Sequence, residues 1–258
     1  MSTLALNRPR PLGDTLALTT RNLRHAVRHV DNLVITLALP VFLMLLFVYV
    51  FGGAVGASGT GAYVDYVVPG VMILVAGYAA ASVAAQVATD VQAGLVDRLR
   101  SMPVHASGLL TGHVVATVLL NATSMAAVLA VALLEGYAPG ASVGQWALAL
   151  ALVVLYTVSL TWVGVAMGLS VSGPEAASGM TFVLLFLPYV SSAFVPVATL
   201  PGWLQGFAQH MPITPVTDSV RSLLAGQHPD RLWIALAWCF GILLAGRAGA
   251  LLAWRRKA

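Results

Sequence analysis

Charge is what this sequence lacks most. Of its 258 residues only 9% are Asp, Glu, Lys or Arg, against roughly a quarter in an ordinary soluble domain. Hydrophobic residues make up 59% and the mean hydropathy is +0.88. A water-soluble globular domain is excluded. Lysine is almost missing, with Lys257 the only one. A phosphate-cradling P-loop reads GxxxxGK[ST], so this sequence has no place for one. Cysteine is limited to Cys239, which excludes an internal disulfide and a thiolate zinc centre. In its apolar run it reads as a small buried residue. No metal site is expected. His25 and His29 stand at i, i+4, but no carboxylate or thiol beside them completes a ligand set, and they read as a polar helix face.

What is there is long apolar sequence. Charged positions divide the chain into apolar runs at 32–64, 66–89, 101–134, 136–174, 176–217 and 232–246. A helix needs about 20 apolar residues to cross a bilayer. The last run is short, but Arg247 alone separates it from further apolar sequence, and an arginine near a helix end can snorkel. The expectation is an all-α integral membrane protein with six transmembrane helices near 33–52, 66–88, 107–134, 145–170, 175–195 and 232–253. A β-barrel would alternate apolar and polar residues, and ALPVFLMLLFVYVF does not. About 30 polar and basic residues precede the first run, which is too long for the apolar core of a signal peptide, so it reads as a retained span. Arginines gather before span one, between spans two and three and at the C-terminus. The positive-inside rule then puts both termini in the cytoplasm and the protein in the cell membrane. The same anchors account for a pI near 9.6, and no nucleic-acid partner is called for.

Three segments are helical but do not span. In residues 14–30, Asp14 is a helix N-cap. Leu16, Leu23, Val27 and Val30 share one face while Arg21, Arg24 and Arg28 share another. This is the pattern of a helix lying in the membrane interface. It defines an N-terminal part, 1–31, ahead of a transmembrane domain, 32–258. The second segment reads DVQAGLVDRLRSMP, residues 90–103. Val91, Leu95, Leu99 and Met102 form one stripe. Gln92, Asp97, Arg98 and Arg100 take the remaining surface and Pro103 stops the helix. A short amphipathic helix over 91–102 on the cytoplasmic side, with charges of both signs free, suits docking to a partner by charge complementarity. The third segment, 196–230, is broken by prolines and glycines into pieces too short to span. One runs from Leu200 to Gln209 with Pro201 at its start, then Trp203 and Phe207. After Pro212, the other runs from Thr214 to Ala225 with Thr214 as its N-cap and Pro215 at its first position. Together they read as an external re-entrant or interfacial helical hairpin, in which Asp218 and Arg221 can pair at i, i+3.

The stretches DVQAGLVDRLRSMPVHASGLLTGH and SSAFVPVATLPGWLQGFAQHMPITPVTDSVRSLL resemble the ABC-2-type permeases, in particular the daunorubicin-resistance group. With the six-span layout, the resemblance covers nearly the whole chain. It implies a permease subunit, not itself an enzyme, that dimerises with a second copy or a paralogue and pairs with two ATPase subunits. ATP and Mg would bind on those partners, and no cofactor on this chain. It implies export of lipophilic, drug-like or lipid-linked compounds. By position, 91–102 becomes the coupling helix, with Asp97, Arg98 and Arg100 facing a groove on the ATPase. The family often has a glutamate early in this loop, where Asp90 and Gln92 stand here.

Two other classes of function remain to be weighed. A gradient-driven secondary transporter usually marks its ion path with intramembrane acids. Here Asp65, Asp90, Glu135 and Glu175 all fall at expected span ends. An intramembrane serine protease is suggested by Gly56-Ala57-Ser58-Gly59, but no histidine is placed in a later span to act as its base. The aromatic residues Phe42, Phe47, Tyr49, Phe186, Tyr189 and Phe194 are candidates for a lipophilic substrate path. Small residues in span two, from Gly77 to Ala85, permit close helix packing.

Overall fold

Helix follows apolar run along nearly the whole chain. The computed structural model describes residues 11–28, 30–52, 60–94 and 106–256, and every regular element among them is helical. In order these are α1 (Pro11–Arg28), α2 (Val30–Leu46) continued by a π-helical turn (Phe47–Phe51), α3 (Thr60–Gln92), α4 (Ala106–Leu134), α5 (Val143–Ser170), α6 (Pro174–Phe186) continued by a 3-10 turn (Leu187–Val190), α7 (Gly202–His210), α8 (Ile213–Leu224) and α9 (Leu232–Arg256). Four are long and apolar enough to cross a membrane: α3, α4, α5 and α9. The spans expected at 33–52 and 175–195 fall on two shorter apolar helices, Thr36–Val50 and Pro174–Val190.

Local chemistry sets the ends. Ser142 caps α5 in a capping box, its hydroxyl meeting Gln145 while the Gln145 side chain returns to the Ser142 N–H at 2.8 Å. Pro174 opens α6 and Glu175 sits in its first turn, favourable at the positive end of a helix dipole. Gly136 closes α4 at φ +92°, with Tyr137 N–H donating to Ala132 O and Gly136 N–H to Leu133 O. Gly226 closes α8 by the same pair of bonds, to Ser222 O and Leu223 O. Both are Schellman motifs, which need a residue at positive φ.

The centre of the structure is α3. Nearly every side chain from Val67 to Ala80 is buried, between α5 and α6 and with α4 and α8 also in contact. Lipid tails are as apolar as leucine, so close packing and internal hydrogen bonds must hold such helices together. Small residues supply the packing. A Cβ on Gly164 would run into the Ala80 carbonyl, one on Gly168 into the Ala84 carbonyl, and one on Gly70 into Ala193 O. Gly164 and Gly168 of α5 thus form a small-xxx-small face that sits on the alanines of α3. Hydrogen bonds add to this. Asn121 Nδ2 donates to Val75 O at 2.8 Å, and Ser159 Oγ to Cys239 O at 2.8 Å.

The N-terminal helix ends earlier than the expected segment and keeps Leu16 on an outward side. Val30 belongs to α2, not α1, and Leu16 is 70% exposed. Among the described side chains, those that α1 buries are polar, Thr19 and Asn22. Its inward side rests on α4, where a Cβ on Gly112 would meet Leu18 Cβ at 3.0 Å. Helix α1 therefore has a protein-facing polar stripe beside its apolar side.

Candidate functional site

Three places gather the residues of interest. The first is the far end of α3, where the segment 91–102 begins. Helix α3 runs through Val91 and Gln92 before a turn at Ala93 and Gly94, so the start of that segment is a continuation of the span. Val91 is half-buried against a cluster that includes Val87, Leu110, Leu169 and Ala253. Gln92 is exposed. The expected partner-facing positions Leu95, Asp97, Arg98, Leu99, Arg100, Met102 and Pro103 lie outside the described residues.

The chemistry just before them is not legible in the sequence spacing. The Asp90 carboxylate receives Arg21 of α1, Nη2 to Oδ1 at 3.3 Å and Nη1 to Oδ2 at 3.4 Å. On its other side His113 Nε2 of α4 lies 3.1 Å from Oδ2. His113 is only 3% exposed. These partners are 69 and 23 residues from Asp90 in sequence, and only the packing of α1 on α4 and of α4 on α3 unites them. Arg24 is exposed. Arg28 ends α1, and its side chain lies outside the described residues.

The second place is the helical pair α7–α8. Pro201 is the N-cap of α7, its carbonyl accepting from Leu204 N–H at 2.8 Å. Trp203 is 81% exposed and Phe207 is also exposed. The second helix starts at Ile213 after Pro212, one residue earlier than Thr214. Thr214 is therefore not its cap. Its hydroxyl donates to Ala208 O at 2.5 Å and ties the two helices together. The two helices differ in kind: α8 is buried along most of its length, including Pro215, Val216 and Val220, whereas α7 is largely exposed.

Arg221 is the node of this region. Asp218 does pair with it, at 3.0 Å, but its other bonds reach further. Nε and Nη2 donate to Tyr66 O at 3.3 and 3.2 Å, and Nη2 also to Ser192 O at 2.8 Å and Ala193 O at 3.4 Å. The guanidinium lies 3.9 Å from the centre of the Tyr66 ring. Ser192 Oγ donates to Asp218 at 2.7 Å, and Tyr66 OH to Ser192 O at 2.9 Å. The reason is a backbone in need of donors. After the 3-10 turn the chain leaves helical geometry at Ser191, whose φ and ψ are −112° and −174°. Its carbonyls then lack helical partners, and a planar five-donor side chain meets several at once. Burial pulls the Arg221 pKa below its ordinary value, opposed by Tyr66 and Asp218.

The third place is aromatic. Phe47 of the π turn stacks on Phe194 at 4.2 Å, and Tyr189 lies 5.1 Å from Phe194 and 6.2 Å from Phe47. Phe186 continues the series 6.0 Å from Tyr189, and Phe182 follows at 4.5 Å. Phe47 and Phe194 are buried, whereas Phe186 is exposed. Phe42 and Tyr49 are exposed as well, and Tyr49 OH donates to Glu135 Oε2 at 2.7 Å. The six aromatics thus divide into a buried stack and an outward-facing set. Among the described residues no group of three or more His, Cys, Asp or Glu could hold a metal ion.

Comparison with known proteins gives a consistent result. The model of the ABC-2 type transporter family matches residues 14–225. A daunorubicin resistance ABC transporter permease protein of Streptomyces coeruleorubidus is 30% identical over 82% of this chain and 72% of its own length. A probable doxorubicin resistance ABC transporter permease protein of Mycobacterium tuberculosis is 21% identical over 96% of this chain and 90% of its own. ABC transporter G family member 20 of Dictyostelium discoideum is 25% identical over 68% of this chain, which spans only 25% of that longer protein.

Proposed function

The chain belongs to the ABC-2 type transporter family, and from that premise we propose that it is one membrane half of an ATP-driven exporter. Two copies, or this chain and a paralogue, enclose a path for a lipophilic, drug-like or lipid-linked compound leaving the cytoplasm or the inner leaflet. The names of the Streptomyces and Mycobacterium relatives support that substrate class. Two ATPase subunits, carrying ATP and Mg, dock beneath the 91–102 helices of the pair. ATP hydrolysis belongs to those partners, in keeping with a sequence whose single lysine is Lys257.

In this reading α2 with its π turn and α6 with its 3-10 turn cross the bilayer beside α3, α4, α5 and α9, making six spans. Residues 1–31 form the cytoplasmic and interfacial part, with both termini inside the cell. The α7–α8 pair, within 196–230, closes the outer side. The stack of buried Phe47 and Phe194 with half-buried Tyr189 borders the route, and Phe42, Tyr49 and Phe186 face the lipid or the second half.

The observation that carries the proposal is the family match across residues 14–225 on a chain with a charged segment between two apolar helices. The test is capture from native membranes in mild detergent, with bound proteins identified by mass spectrometry. A stoichiometric P-loop ATPase is expected, lost when Asp97 and Arg98 are both reversed in charge while membrane insertion persists. Capture of the chain alone, with flux in ATP-free vesicles driven by a proton gradient, would overturn it in favour of a gradient-driven secondary transporter.

A further inference from the structure

Asp90 stands one residue before the 91–102 segment and is held from two other helices. Arg21 reaches it from α1 and His113 from α4. The seam between α1 and α4 is closely packed at Leu18 and Gly112, yet it leaves polar atoms unsatisfied. Thr19 Oγ1, Asn22 Nδ2 and His113 Nδ1 are buried without a hydrogen-bond partner among the described residues. Such atoms weaken a contact, because a buried polar group left unpaired costs free energy. Helix α1 packs along α4 and hardly touches α3 elsewhere, so the two directional bonds from the partly exposed Arg21 to Asp90 are the link between α1 and α3. It runs from the helix that leads into α2 to the last turn of α3.

We infer that Asp90 is a positioning residue that fastens α1 to the root of the 91–102 segment. A displacement of that segment then reaches α1, and α2 beyond it, together with α3. Without the tie, displacement stays with α3. The inference rests on the reading of 91–102 as the site where the motor docks, and the experiment separates the two.

The permease–ATPase complex is placed in lipid nanodiscs, in a Cys239→Ser background, and spin labels are attached in pairs. One label of each pair is at Val143, at the start of α5. The other is at Ala17 on α1 or at Ala93 just after α3; all three positions are exposed. Distances are measured without nucleotide and after trapping with ATP and vanadate. In the wild-type background both pairs are expected to shift. In Asp90→Asn and in Arg21→Gln the Ala93 pair still shifts. The ATP-shifted population of the Ala17 pair falls about fivefold or more, and Asp90→Glu restores it. An undiminished Ala17 shift in Asp90→Asn and Arg21→Gln overturns the inference. If no ATPase accompanies the wild-type chain, or the Ala93 pair ignores ATP there, the exporter reading itself fails and takes the inference with it.

Discussion

Replacing Arg221 with methionine keeps the length and apolar stem of the side chain and removes five donors at once. The structure says what is then left unpaired. Tyr66 O loses two donors, Ser192 O one at 2.8 Å, Ala193 O a long one at 3.4 Å, and Asp218 its cation at 3.0 Å. The Asp218 side chain is 37% exposed, so water compensates it and its share is about 0–1 kcal/mol. The carbonyls are more enclosed, at about 1–3 kcal/mol for each buried acceptor left alone. Since Tyr66 OH still donates to Ser192 O and Tyr66 O sits inside α3, four residues before Gly70 N–H, the loss falls mainly on Ala193 O and on the guanidinium contact with the Tyr66 ring. The expected cost of Arg221→Met is about 2–4 kcal/mol. Asp218→Asn keeps an acceptor for Ser192 and should cost no more than about 1 kcal/mol. Arg221→Lys should fall between them, since an ammonium cannot fork to carbonyls on two elements. The assay is thermal unfolding of purified protein in lipid nanodiscs, followed by intrinsic fluorescence. Asp218→Asn melting as low as Arg221→Met would refute the reasoning, because the surface pair and not the carbonyls would then carry the stability. So would an Arg221→Met variant that melts with wild type.

Other expectations follow from the packing and the caps. Gly164→Ala should destabilise by about 1–3 kcal/mol, because its Cβ would meet the α3 backbone at Ala80 and Val83 Cγ1 at 2.8 Å, whereas Gly144→Ala, with open space around it, should be neutral in the same melt. Ser142→Ala removes the capping box of α5 and should cost about 0.5–2 kcal/mol, with the Gln145→Ala double variant adding less than its single effect. Cys239, 0% exposed, should resist a maleimide dye in the folded state and label only as the protein melts. Labelling of most molecules within minutes at low temperature would show that α5 and α9 are not packed as described.

Much of the helical layout could be read from charge spacing alone. The expected boundaries of the third, fourth and sixth spans fall within a few residues of α4, α5 and α9, because a break in an apolar run is a local property of the chain. The small residues of the second span were legible as a packing face. Their counterpart was not: Gly164 and Gly168 mean something only once α5 lies on Ala80 and Ala84. The pairing of Asp218 with Arg221 could be anticipated at i, i+3, but its bonds to Tyr66 and Ser192 join positions 155 and 29 residues away. Asp90 was visible as an acid at a span end and Arg21 as a basic anchor, with nothing local to say that they meet. Periodicity marked an apolar side of α1 that includes the outward-facing Leu16, and said nothing of polar Thr19 and Asn22, which turn in. Hydrophobic pattern reports preference for lipid over water and says less about protein against lipid.

Helix α3 is gripped at two levels, by Arg221 at the Tyr66 carbonyl and by Arg21 and His113 at Asp90. Those levels are about 36 Å apart at 1.5 Å per residue. Sliding the helix along its axis by one residue would stretch the bonds at both grips past hydrogen-bonding length together. Tilting it by about 5° about either grip would carry the other sideways by about 3 Å over that length, so tilt is resisted as well. Helix α3 is thus held like a strut fixed at both ends, and any rigid movement of it must take Arg21, His113 and Arg221 along or release one of them.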